Sequence, residues 1–390
     1  MNLCWKKICC CFVVFFLLGG AAVTAEPESQ VDADVSAQLV TSEAAILMEA
    51  GGGQVLYEYN ADAKLPIASV TKTMTMLLVM EALDSGKIQL TDMVSTSEYA
   101  ASMGGSQVFL EPGEQMSVDD MLKAIAVASG NDAAVAMAEF ISGTESAFVE
   151  KMNKRAQELG AVNTHFINCN GLDETTEHYS TARDVALISC ELLKHEKIQD
   201  YLTIWMDTLR DGKFQLANTN KLIRYYSGAN GIKTGSTSIA KYCLSASAKR
   251  DNMQLVAVVL AAPTTAERFG SATKLLDYGF ANYSVVDESV LTEPIAPVKV
   301  IGGTQETAEL EFDGCVNFIV KKGNQNKVEK EFVIPSEIKA PVAAGQKVGE
   351  VVFTIDGVEV ARREVVAKAE VPRITTFKMF LRVLNEWIRV

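Results

Sequence analysis

Ala68-Ser69-Val70-Thr71-Lys72 heads an apolar run that continues to Leu83, and the reading of this stretch decides the fold. Ser69 and Lys72 stand three residues apart, a spacing that puts both side chains on one face of a helix. A serine hydroxyl becomes a useful nucleophile when a neighbour takes its proton, and a lysine can do so once desolvation has lowered its pKa. Met74, Met76, Leu77, Leu78, Val79, Met80 and Leu83 make the run apolar on nearly every side, which predicts a helix deep in its domain. Taken alone, S-x-x-K reads more simply as a helix start with the serine as N-cap.

Two further stretches overturn that simpler reading. Ser129-Gly130-Asn131 lies in a short break between helical patterns over 118–128 and 132–141. Lys233-Thr234-Gly235 opens a segment that becomes strand-like at Tyr242-Cys243-Leu244 and again over 255–260. S-x-x-K, then S-x-N, then K-T-G is the ordered active-site set of penicillin-binding proteins and serine β-lactamases. With the flanks 66–72, 231–237 and 275–280, nearly the whole chain resembles the low-molecular-mass penicillin-binding proteins, specifically the serine-type D-alanyl-D-alanine carboxypeptidases. Within that family it resembles the DacF-type enzymes of spore-forming bacteria.

The resemblance implies roles for the matching positions. Ser69 attacks the carbonyl between the two terminal D-alanines, and Lys72, neutral at rest, takes its proton. Ser129 relays a proton to the departing nitrogen, while Asn131 holds the substrate amide. Lys233 supplies positive charge and Thr234 hydrogen-bonds the terminal carboxylate. Gly235 leaves room for the peptide to join the strand edge. The N–H groups of Ser69 and Ser236 form an oxyanion hole. Arg268 matches a family arginine near the substrate carboxylate; without the resemblance it reads as a solvated helix charge. Asn170, in Asn170-Gly171-Leu172-Asp173, stands where the family often has histidine, so it receives no role although its loop should border the cleft.

The chain has 390 residues, enough for two or three domains, and a formal net charge of −13. With no basic stripe, that balance argues against nucleic-acid binding and confines any membrane contact to a local patch. Residues 1–25 read as a secretory signal: Lys6 and Lys7, an apolar core over 8–18, and Val23-Thr24-Ala25 as a small-residue cleavage site. Cys9, Cys10 and Cys11 precede most of that core and read as small apolar residues within it. Cys169, Cys190, Cys243 and Cys315 are scattered, which indicates neither a zinc site nor a dense disulfide framework. Pairing of Cys169 with Cys190 is left open by spacing. Cys243 reads as a buried hydrophobe.

Polar residues 26–36 read as a disordered lead-in. Runs over 44–48 and 55–59 across Gly51-Gly52-Gly53 predict a hairpin, and 240–248 with 254–262 a second one. Helical patterns over 145–159, 181–193 and 266–276 complete an α+β catalytic domain spanning 37–284, its antiparallel sheet assembled from both chain ends. From 285 to 371, short alternating runs separated by turns such as Lys322-Gly323 and Asp356-Gly357 predict a small all-β domain.

The tail, 372–390, carries Ile374, Phe377, Phe380, Leu381, Leu384, Trp387 and Ile388 at helical spacing. Arg373, Lys378, Arg382 and Arg389 lie among them. That is a basic amphipathic helix suited to an anionic membrane surface, with packing on the β-domain or on a partner as the alternative.

The expected protein is therefore an exported carboxypeptidase that trims peptidoglycan stem pentapeptides on the outer face of the cytoplasmic membrane, with no cofactor and no metal. β-Lactams are its expected covalent inhibitors. A β-lactamase shares the fold, but no E-x-x-L-N glutamate loop lies between the second and third motifs, and Gly130 stands where class A enzymes carry Asp. A D,D-endopeptidase or transpeptidase would use the same residues. Loss of Ser69 or Lys72 would have marked a wall-binding scaffold, and both are present. His165, His178 and His195 form no pair at ligand spacing and read as surface or loop residues.

Overall fold

A computed structural model describes residues 39–172, 175–286, 295–312 and 318–388. The expected signal (1–25), the lead-in (26–36) and Cys315 lie outside the described residues. The first hairpin forms as its alternation requires, β1 at Ala44–Glu49 and β2 at Val55–Tyr59. A 3₁₀ turn over Ala68–Thr71 then leads into α1, Lys72–Asp84. The helices that follow are α2 (Val118–Ala126), α3 (Asn131–Ser142), α4 (Glu145–Glu158) and α5 (Ala182–Leu193). Ser117, Thr144 and Thr181 cap α2, α4 and α5, each hydroxyl accepting from the N–H three residues on.

The chain returns to the sheet through β3 (Ala229–Thr237), β4 (Lys241–Arg250) and β5 (Met253–Ala262), followed by α6 (Thr265–Asn282). The sheet order is β2-β1-β5-β4-β3, antiparallel throughout. Pairing of β1 with β5, from Ala44 opposite Leu260 to Glu49 opposite Leu255, joins the two ends of the domain. That leaves β3 as an outer strand.

Side chains alternate across this sheet. Ile46, Met48, Val256, Val258 and Leu260 face the helical core that contains α1 and α5. Ala45, Leu47, Leu244, Ala246 and Val259 face α6 through Leu275, Leu276 and Phe280. Helix α1 is buried continuously from Lys72 to Met80, as its unbroken apolar run requires.

Two details differ from the expected pattern. Ser69 sits on the 3₁₀ turn rather than within the helix, which begins at Lys72. The strand carrying K-T-G begins at Ala229, upstream of the motif, although that segment shows little alternation. Two short ribbons, Met93–Ser95 with Gln115–Ser117 and Met206–Leu209 with Phe214–Ala217, had too few residues to display a period. Cys169, Cys190 and Cys243 are buried free thiols, so the possible Cys169–Cys190 bridge is absent.

After α6, strand Tyr283–Val285 pairs with Ile319–Lys321. A four-stranded antiparallel sheet follows, ordered Leu310–Phe312, Val358–Ala367, Lys347–Ile355, Glu329–Val333. Strand Glu337–Lys339, missed in the sequence, pairs in parallel with Val298–Ile301. Val300, Val351, Val365 and the ring pair Phe318–Phe353, 4.8 Å apart, fill the core of this β-module. Helix α7 (Thr376–Ile388) is fixed at its base, where the Ile374 N–H donates to the Gly302 carbonyl and Arg382 donates to the Thr304 carbonyl at 2.9 Å. Phe377, Phe380, Leu384 and Trp387 are exposed. No helix among the described residues is long and apolar enough to cross a membrane.

Candidate active site

The three motifs meet where the 3₁₀ turn, the start of α3 and β3 converge. Ser69 is half-buried at the mouth of this junction, and Lys72 is fully buried beneath it. Lys72 Nζ lies 3.0 Å from Ser69 Oγ, contacts Asn131 Oδ1, and lies 2.8 Å from the carbonyl of Asn170. Asn131 cannot turn its amide around, because its Nδ2 donates to the Gly104 carbonyl at 2.7 Å. Two of the lysine's partners are therefore pure acceptors. A neutral amine has two N–H bonds and one lone pair; with both N–H groups used on these carbonyls, the lone pair faces the serine hydroxyl.

Burial favours that neutral form. It pushes the Lys72 pKa down to about 7, against a smaller opposing pull from Cys169 and Asp132. The Asp132 carboxylate is occupied in holding backbone, accepting from the N–H groups of Val108, Leu110 and Ala133. It thereby fixes the start of α3 and the 104–110 loop that walls the site. Ser129 adopts φ +64, an uncommon conformation for a residue with a side chain. Its buried hydroxyl has no hydrogen-bond partner among the described residues.

The third motif brings a second buried lysine. Lys233 is buried and, among the described residues, donates to the carbonyl of Thr234 at 3.1 Å. Burial lowers its pKa strongly, and the charges of Lys72 and Arg268 push the same way. Thr234 Oγ1 donates to Thr219 Oγ1 at 2.7 Å. Arg268 is buried rather than solvated: Nη1 reaches the carbonyls of Gly235 and Cys243 at 3.2 and 3.3 Å, and the guanidinium lies over the Phe269 ring at 4.6 Å. Lys233 and Arg268 thus take backbone carbonyls rather than carboxylates as partners. An incoming anion beside them would offset the burial that disfavours the charged form of Lys233.

Gly235 answers a tighter constraint than room for a peptide. A Cβ there would lie 2.6 Å from the Ile67 carbonyl oxygen and 2.9 Å from the backbone nitrogens of Ser69 and Val70. Strand β3 therefore runs flush against the serine turn. Ser236, next along, is exposed on the outer strand.

Sequence reading missed three contributors. Asn170 offers Lys72 its backbone carbonyl, which no side-chain motif reveals, and its Oδ1 accepts from the Leu172 N–H at 2.7 Å. Gly171, at φ +79, packs so closely that a Cβ would fall 1.9 Å from the Ala68 oxygen. His178 is buried, not at the surface, with Nε2 2.6 Å from Thr71 Oγ1.

The chain is similar to known proteins over most of its length. The family model of D-alanyl-D-alanine carboxypeptidases matches residues 31–264, and that of the penicillin-binding protein 5 C-terminal domain matches residues 288–373. The chain is 48% identical over 352 residues to D-alanyl-D-alanine carboxypeptidase DacF of Bacillus subtilis, spanning 89% of this chain and 90% of that protein. It is 35% identical to DacC of Escherichia coli over 86% of each. Penicillin-binding protein 5 from Haemophilus influenzae superposes with a TM-score of 0.75 at 34% identity, over 86% of this chain and 98% of that one. Penicillin-binding protein D2 from Listeria monocytogenes, in its ampicillin-bound form, superposes with a TM-score of 0.55 at 32% identity, over 62% and 98%.

The contact between Lys72 and Asn131 generates a prediction. Asn131→Asp sets a carboxylate against the amine, favours the ammonium and raises its pKa. Reaction of Ser69 with penicillin, followed by stopped-flow across pH, should lose its half-maximal point near 7 and move at least about one unit alkaline, with a roughly fivefold or greater loss at neutral pH. An unmoved profile would mean that Lys72 does not set it.

Proposed function

The chain belongs to the serine-type D-alanyl-D-alanine carboxypeptidase family, and on that premise we propose that it removes the terminal D-alanine from peptidoglycan pentapeptides through an acyl-enzyme on Ser69. The observation that carries the residue assignment is the buried amine of Lys72, 3.0 Å from the Ser69 hydroxyl with its other acceptors fixed.

The peptide lies along the open edge of β3 as an added strand. Its terminal carboxylate is drawn to Lys233, Thr234 and Arg268, and its amide to Asn131. Ser69 Oγ attacks the penultimate carbonyl while its proton passes to Lys72. Negative charge then develops on the carbonyl oxygen between the N–H groups of Ser69 and Ser236. Collapse of the tetrahedral adduct breaks the C–N bond, and the departing amine takes a proton by way of Ser129. Water then hydrolyses the ester, with Lys72 as base. Penicillin enters by the same route, but its ring amine stays tethered to the acyl group, which leaves a long-lived adduct.

The same proposal places the enzyme outside the cytoplasmic membrane. Residues 1–25 direct export, the β-module acts as a stalk, and α7 rests its exposed Phe377, Phe380, Leu384 and Trp387 in the interface.

Two outcomes test these points. Incubated with a peptide ending in D-Ala-D-Ala, the unmodified protein should release one D-alanine per peptide, Ser69→Ala none, and Lys72→Ala less by about 10³-fold. A penicillin adduct without alanine release would assign it to endopeptidase or transpeptidase work, and rapid drug turnover to the β-lactamases. In vesicle co-sedimentation, the chain from 26 to 390 should pellet with anionic vesicles and less so in high salt. Removal of 372–390 should abolish that binding; equal pelleting without the tail would reject the anchor.

A further inference from the structure

His178 lies on none of the three motifs, yet it heads a directed chain of hydrogen bonds that ends on the serine turn. The backbone N–H of Ile167 donates to His178 Nδ1 at 3.3 Å, so that nitrogen carries a lone pair and the ring proton resides on Nε2. Nε2–H therefore donates to Thr71 Oγ1, 2.6 Å away. The Thr71 hydroxyl in turn donates to the carbonyl oxygen of Ala68 at 2.8 Å. Thr71 and His178 are both buried, and the His178 ring is set edge-on to Phe166 with centroids 5.6 Å apart.

The end point gives this chain its meaning. Ala68 C=O and Ser69 N–H belong to one planar trans peptide, so their dipoles point in opposite directions. Fixing the oxygen on one side fixes the N–H on the other, where β3 runs flush and a Cβ on Gly235 would come within 2.9 Å of the Ser69 nitrogen. Ala68 itself holds φ +49, a conformation that an alanine keeps only when its surroundings impose it. Gly171, with no side chain to obstruct, closes over the same Ala68 oxygen.

We propose that His178 is a positioning residue that, through Thr71, orients the Ala68–Ser69 peptide plane and so aims the Ser69 N–H into the oxyanion hole. The inference rests on Ser69 being the acylated nucleophile. His178 touches no reacting atom. Its effect should appear in the chemical step and leave substrate binding nearly untouched, because the groups that hold the peptide lie on other elements.

The test compares the unmodified protein with His178→Ala, His178→Gln and Thr71→Val. Each is acylated with penicillin, timed by stopped-flow, and the ester carbonyl stretch of the adduct is read by isotope-edited infrared difference spectroscopy. His178→Ala and Thr71→Val should each slow acylation and D-alanine release by about 10–100-fold with KM within about twofold. In both, the ester band should move to higher frequency and broaden as the oxyanion-hole hydrogen bond loosens. His178→Gln keeps an N–H donor and should recover most of the rate and the band position. Wild-type rates in both His178→Ala and Thr71→Val would overturn the proposal, as would slowed acylation with an unshifted band, the signature of a merely structural role. If His178→Ala does not fold, Thr71→Val and His178→Gln decide the matter by the same readouts. Absence of any adduct in the unmodified protein would instead reject Ser69 as the nucleophile, a separate failure visible before any variant is made.

Discussion

Burying a lysine amine without a carboxylate partner is the constraint on which the site depends. In water the ammonium form is favoured by several pKa units at neutral pH; in the interior it loses its hydration and the neutral amine becomes competitive. Lys72 is fully buried, and its partners are the Asn131 side-chain oxygen, the Asn170 backbone carbonyl and the Ser69 hydroxyl. Neutral acceptors stabilise N–H groups without restoring full charge. An Asp in place of Asn131 would have formed an ion pair and removed the base. The nearby Asp132 is occupied with backbone N–H groups, and its charge pulls on Lys72 less than burial pushes.

The rest of the architecture follows from bringing that lysine, an outer strand and a loop onto one turn. Pairing β1 with β5 closes the sheet from both chain ends and leaves β3 on the outside, beside the helical core from which α1 emerges. The close approaches are made possible by absent side chains: Gly235 on β3 and Gly171 on the loop each leave space that a Cβ would fill with a clash against the turn. Both glycines meet backbone atoms, which cannot swing aside as a flexible side chain can. The turn is gripped from two sides, and Ala68 at φ +49 records that grip.

What the sequence made legible, and what it hid, follows from where the information resides. The motif serines and lysines, the terminal hairpins and the helices over 118–193 were readable because each rests on a side-chain type or a period. The contribution of Asn170 was not readable, since it acts through a carbonyl that every residue possesses. His178 looked like an isolated loop histidine because its partner Thr71 is more than a hundred positions away, inside the S-x-x-K spacing itself. Apart from the family resemblance, Arg268 read as a helix surface charge because its covering, the strand backbone at Gly235 and Cys243, comes from elsewhere in the chain. The 3₁₀ turn at Ser69 escaped because three-residue spacing suits either helix type, and only the close packing of β3 and the 168–172 loop distinguishes them. Helix α7 was legible in its existence, since an amphipathic period needs no tertiary information, although it begins at Thr376 rather than at residue 372.

Because the fold buries it among carbonyls, Lys72 has its pKa near neutrality, where the neutral amine is well populated. The most direct measurement is an NMR titration of the folded, ligand-free protein with ¹³Cε-labelled lysine, using Lys72→Arg to assign the signal. The account predicts that the signal lost in Lys72→Arg titrates near pH 7, while the exposed lysines titrate near 10. A Lys72 signal that stays with the others, at about 10, would show a charged amine at rest and would contradict its role as the base.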